Sequence, residues 1–209
     1  MTFTRRRYLQ CTGGSVLVTG LAGCTGTDAD ETPPGGNGSD DDTNETRPAG
    51  TGGPGVSIVS TDDKIDLSAQ PSVEVVREAA TEDHPPQIRT ALTNTSDKAV
   101  RVGEGRKVHF EYVSDTEELL TLLPANGSEY PAEPDCWRLT DQIVTTEEYR
   151  TFEIEAGETS TRLVDLYATL DADGCLPVGE YRFETAISQV DEDTESNASA
   201  TWGFSVSLE

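Results

Sequence analysis

The residues of this 209-residue chain that could bind a metal or move a proton are two histidines, His84 and His109, and a large surplus of carboxylates. Neither histidine has a second strong metal ligand near it in sequence. His109 falls in the alternation "KVHFEYV" (107–113), which places it on the solvent-facing side of a strand. Neither stands in a Ser or Cys motif and there is no Gly-x-Ser-x-Gly elbow, so nucleophilic catalysis lacks its usual signature. Glycoside hydrolysis needs only a pair of carboxylates, but a domain of about 140 residues with few aromatics leaves little room for a sugar cleft. The nearest approach to a metal site is "TLDADGCLPVGE" (169–180). Laid on a twelve-residue calcium loop, it puts Asp171 and Asp173 third and fifth, Gly174 sixth, Leu176 eighth and Glu180 last. Thr169 stands where an Asp should open the loop, and strands flank it where helices are required. The expectation is a tight Asp-Gly turn, no bound metal or cofactor, and no enzyme.

The elements around these residues alternate with period 2. Apolar side chains recur at Ile88, Thr90, Leu92; Val108, Phe110, Tyr112; Val164, Leu166, Ala168; Tyr181, Phe183, Thr185, Ile187; and Trp202, Phe204, Val206, Leu208. Each run reads as a strand with one wet face. Turn clusters separate them: "NTSD" (94–97), "GEGR" (103–106), "PANGS" (124–128), "EAGE" (155–158) and "DADG" (171–174). "EELLTLL" (117–123) is read as a helical turn that Pro124 cuts short. Many short strands with no long amphipathic helix make an all-β, antiparallel sandwich spanning residues 56–209.

The start of the chain is different. Residues 1–23 hold Arg5, Arg6 and Arg7, no acid, and the apolar, glycine-rich "CTGGSVLVTGLAG", the layout of an export signal. That apolar run is about a dozen residues, against about 20 for a helix that crosses a bilayer. Thr4-Arg5-Arg6-Arg7-Tyr8-Leu9-Gln10 resembles the twin-arginine export motif, with Gln10 in place of the usual lysine. Leu21-Ala22-Gly23-Cys24 resembles a lipobox. These resemblances imply a twin-arginine lipoprotein signal peptide over residues 1–23, folding in the cytoplasm before export, and a lipid on Cys24. One acyl chain binds membranes only marginally, so the lipid is expected to be of the diacyl type.

With Cys11 in the signal and Cys24 taken by lipid, Cys136 and Cys175 remain. In an oxidising compartment these most simply form one disulfide, two free buried thiols being the alternative. A blue-copper centre needs two His, a Cys and usually a Met. Met1 is the sole methionine and leaves with the signal, so copper is excluded.

Residues 24–55 carry Gly, Pro, Thr, Asp and Asn with scarcely an apolar side chain. Such a segment cannot offset its ordering entropy and is expected to be a disordered acidic stalk, spanning roughly 30 Å. The formal charge of the whole chain is −24, and loss of residues 1–23 removes three arginines and no acid, giving −27. That charge repels nucleic-acid phosphates and anionic headgroups, and becomes tolerable where salt shortens screening from about 10 Å at 0.1 M to about 3 Å at 1 M. The excess of acid over lysine resembles proteins of halophilic archaea. Acid, by neutralising carboxylates, should partly rescue stability in dilute salt.

Two further stretches carry a resemblance. "LPVGEYRF" (176–183) resembles the Leu-x-x-Gly-x-Tyr approach to a late strand of immunoglobulin-like domains, and "ALTNTSDKAVRV" (91–102) resembles a hairpin in their first half. The resemblance implies that Tyr181 hydrogen-bonds back to nearby backbone. Five sequons, at Asn37, Asn44, Asn94, Asn126 and Asn197, fall in the stalk or in turns, where a glycan would reach solvent. The expectation is a non-enzymatic surface module. It is held to the membrane by lipid on Cys24, binds an envelope or surface protein but no nucleic acid, and contacts its partner near Trp137 and the acidic turns. The alternative is a small-ligand or cation-binding lipoprotein serving a transporter.

Overall fold

The computed structural model describes residues 55–127, 129–146, 148–190 and 196–209, without the side chains of 196 and 197. Arg5, Arg6, Cys24, Asn37, Asn44 and the expected signal and stalk lie outside the described residues.

The chain folds as an antiparallel, immunoglobulin-like β-sandwich of two five-stranded sheets. The strands are β1 (Val56–Thr61), β2 (Ala69–Arg77), β3 (Gln87–Asn94), β4 (Val100–Gly103), β5 (Val113–Ser114), β6 (Leu120–Pro124), β7 (Thr151–Ile154), β8 (Thr159–Ala168), β9 (Gly179–Val190) and β10 (Ser196–Leu208). One sheet has the order β1-β10-β9-β4-β7 and the other β2-β3-β8-β6-β5. The period-2 runs dictate which side chains meet. In β9, Tyr181, Phe183, Thr185 and Ile187 point inward; in β10, Trp202, Phe204, Val206 and Leu208 do the same. Ile88 and Leu92 of β3 and Val164 and Leu166 of β8 face them from the second sheet, each fully buried. Phe204 contacts Phe183 at 5.6 Å and Phe110 at 4.9 Å between ring centres. This aromatic layer holds the sheets together, since such rings bury the most apolar area per residue. Tyr181 donates its hydroxyl to Pro177 O at 3.1 Å, the backward bond implied for that corner.

Three expectations are corrected. Residues 107–109 form a 3-10 turn, not a strand, with Phe110 and Tyr112 in the left-handed region (φ 59° and 63°). The turn breaks the period-2 alternation, and with the left-handed Phe110 closing it Val108, His109 and Phe110 are buried in succession, so His109 is wholly buried instead of facing solvent. Residues 120–124 form β6, not a helical turn. β6 is covered on both faces, which makes its apolar run continuous and its periodicity uninformative. Residues 91–102 form no hairpin, because β3 and β4 belong to opposite sheets. Asn94 makes that crossing. Its Nδ2 donates to Lys98 O (2.7 Å) and to Ile154 O (3.0 Å) beside the other sheet, while its Oδ1 accepts from Ser96 N and Oγ.

Candidate binding groove

Between β6 and β7 the chain leaves the sandwich for residues 125–150 and folds back over the outer face of β6 and β8. Sequence accounts for how it stays there. Cys136 is joined to Cys175, with Cα atoms 4.8 Å apart and a sequence separation of 39. Ala168 N donates to Trp137 O and Leu139 N to Ala168 O, both at 2.9 Å, so the excursion pairs with the end of β8. The Trp137 indole, half-buried beside the disulfide, donates Nε1–H to Thr81 O at 2.8 Å. At the far end Arg106 donates to Thr146 O (2.7 Å) and Glu148 O (3.0 Å).

Beneath this cover lies a second apolar layer: Leu123, Leu139 and Tyr167, packed by Tyr112, Tyr130, Trp137 and Ile143. Tyr130 and Trp137 both meet Tyr167 edge-on, at 5.6 and 6.0 Å. Burial pushes the Tyr130 and Tyr167 hydroxyls well up, so both stay protonated across the ordinary pH range.

The cover is incomplete. A groove of about 380 Å³ runs along it, with Leu123 and Leu139 at its base. Val144, 90% exposed, and Leu170, 44% exposed, line it from two separate loops. Three carboxylates, Glu118, Asp141 and Asp171, also line it, and no Lys or Arg does. Thr169 ties the walls together by donating Oγ1–H to Glu118 O at 2.7 Å. The groove therefore offers apolar contact flanked by negative charge, with its walls already fixed.

The other sequence candidates fall elsewhere. His109 sits at one end of the core with Thr90 Oγ1 3.1 Å from Nδ1 and Ser160 Oγ 3.0 Å from Nε2. Thr90 spends its one proton on His109 O (3.1 Å), so it accepts from Nδ1–H. Nε2 is thereby left to accept from Ser160. That is a nucleophile–base geometry, yet Phe152 packs on the ring at 5.5 Å, and burial, with the Arg162 charge, lowers the imidazole pKa from 6.5 to about 4. A base so weak at neutral pH is a satisfied core histidine. His84 Nδ1 lies 3.2 Å from Pro85 O. Among the described residues no cluster of three His, Cys, Asp or Glu could hold a metal. In the calcium-loop near-match, Leu170 and Asp171 go to the groove, and Gly174 takes φ 97° in the turn before the disulfide.

Of the sequons, Asn126 is exposed in the turn after β6, and the Asn197 side chain lies outside the described residues. Asn94 is a correction, since it is fully buried with its amide engaged, so the folded domain presents no acceptor there. Sequence reasoning pointed to Trp137 and the acidic turns but missed Val144, Tyr112 and Asp141. The signal available was "DQIVTT" (141–146), an apolar pair in a polar segment with no strand alternation to absorb it. The chain matches no protein-family model, and no curated protein is similar to it.

Proposed function

We propose that this chain is a non-enzymatic, lipid-anchored surface module of a halophile, which binds another envelope protein through the groove under residues 125–150. One observation carries the reading: Val144 and Leu170, large apolar side chains left exposed, line a groove whose walls are held by a disulfide and backbone bonds. Exposed apolar surface on a preorganised frame marks an interaction site. Lipid anchoring and export rest on Arg5, Arg6 and Cys24, and the saline setting on the charge of −24. The groove is open along its length and has one aromatic wall, Tyr112. That favours a docking surface over a receptor that must enclose a small ligand.

Co-purification from the cell's own membranes in high salt tests this. Val144→Asp should lose the partner, while Val178→Asp, at an exposed apolar site away from the groove, should keep it. Equal recovery with both variants would refute the groove as the docking surface. Mass analysis of the N-terminal peptide should show lipid on Cys24, and Arg5→Lys with Arg6→Lys should block export.

A further inference from the structure

We propose that the occupant of the groove is one strand-like segment of a partner protein that combines an apolar side chain with a neighbouring lysine or arginine. This rests on the docking reading above and gives its partner a chemistry.

Two independent observations carry it. The first is backbone. Residues 142–145 belong to no strand or helix, have negative φ, and form no backbone hydrogen bond with another described residue. Ile143 packs into the layer with Leu123 and Tyr167, while Gln142, Val144 and Thr145 are exposed, Val144 at 90%. A stretch anchored by one inward side chain, with its main chain unpaired and its other side chains exposed, is a template on which an extended peptide adds, main-chain bonds giving affinity and side-chain contacts giving selectivity. Its ends are fixed by Leu139 pairing with Ala168 and by Arg106 holding Thr146 O, so little ordering remains to be done on binding.

The second is charge. Glu118, Asp141 and Asp171 line the groove with no basic residue among its walls. A second copy of the chain, itself at −24, would bring acid against acid, and anionic headgroups meet the same repulsion. A cation beside an apolar anchor fits. The contact pairs it would make lie within a few ångströms and persist in salt that cancels longer-range attraction.

The test uses full-length, detergent-solubilised protein and a displayed library of random dodecapeptides, selected in moderate and in molar salt. Recovered peptides should place Lys or Arg within two positions of Val, Ile or Leu. Binding of their synthetic forms should fall at least about tenfold in Val144→Arg and in Asp141→Lys with Asp171→Lys, both positions being exposed enough to leave the fold intact. On binding, the amides of 142–145 should become protected from hydrogen exchange. Peptides that bind Val144→Arg as tightly as the parent, or no recovered peptide at all, would overturn the docking surface itself. Peptides that depend on Val144 but lack Lys or Arg, or ignore the charge reversal, would overturn only the partner chemistry. Concentration-dependent self-association abolished by Val144→Arg would replace the partner with a second copy.

Discussion

The two faces of the β8–β6 sheet each carry an aromatic layer, and the layers are built from different residues. Inside, Phe110, Phe183 and Phe204 are fully buried and bring no polar atom with them, and only Trp202, packed on Phe110 and Phe204 at the layer's edge, carries an N–H, which it donates to Asp62 O at 3.2 Å. Outside, the rings are Tyr130, Tyr167 and Trp137, and two of them hand their polar tips to backbone carbonyls: Tyr130 Oη donates to Pro124 O at 3.2 Å and Trp137 Nε1 to Thr81 O. A layer sealed between two sheets can be apolar through its centre. One covered by a loop meets water at its margin, and there an amphipathic ring is the better choice. The inner layer therefore sets whether the chain folds, and the outer one sets what surface the fold displays.

The largest effects should come from the inner layer. Phe204→Ala is expected to cost about 3–5 kcal/mol, measured by denaturant titration in molar salt; a cost no greater than that of an outer-layer change would abolish the distinction. Replacing Cys136 and Cys175 together by Ser should cost about 2–4 kcal/mol. It should also speed proteolysis within 125–150 before the sandwich yields, and simultaneous loss of both would show that the outer layer is not a separate unit.

His109 makes the inner region sensitive to acid. Its pKa is depressed from 6.5 to about 4 by burial and by the Arg162 charge, so the unfolded chain takes up the proton first. The corresponding stability is present above pH 6.5 and lost as pH falls toward 4, to the extent of about 3 kcal/mol. This opposes the relief expected from neutralising surface carboxylates, and burial pushes Glu111 and Asp165 up, which adds to that relief. In molar salt, where repulsion is screened, the loss should dominate in the parent and disappear in His109→Gln. Identical pH profiles for the two proteins would remove His109 from this role. The smallest effect is expected at the rim of the outer layer: Trp137→Phe keeps a ring but orphans Thr81 O and should cost about 1 kcal/mol.

The same division decides how much of the molecule could be read from its sequence. Strands β3, β9 and β10 were legible because each has one dry and one wet face, so Ile88 to Leu92 and Trp202 to Leu208 alternate, whereas β8 alternates only until Tyr167 passes under the excursion. Where both faces are dry the code vanishes: β6 is covered by the core on one side and by residues 125–150 on the other, and "LTLLP" carries no period. Around His109, seven successive residues (107–113) were assigned to one strand, whereas two of them adopt positive φ that neither Phe110 nor Tyr112 advertises. The disulfide followed from cysteine arithmetic together with the export reading of residues 1–23, which set Cys11 and Cys24 aside. The groove did not, since it is made by three loops whose meeting depends on how the excursion lies across β8.

Asn94 has a consequence for the order of events in the cell. A glycan needs the side-chain nitrogen that this residue directs at Lys98 O and Ile154 O, and it needs space where the two sheets meet. The sugar and the sandwich are mutually exclusive at this position, while Asn126 stays accessible on the finished fold. Were both sequons offered to a glycosyl transferase, their occupancy would report the order of folding and modification. Sugar on Asn126 alone would record a protein that folded before it met such an enzyme, whereas sugar on Asn94 would record a chain modified first and barred from closing.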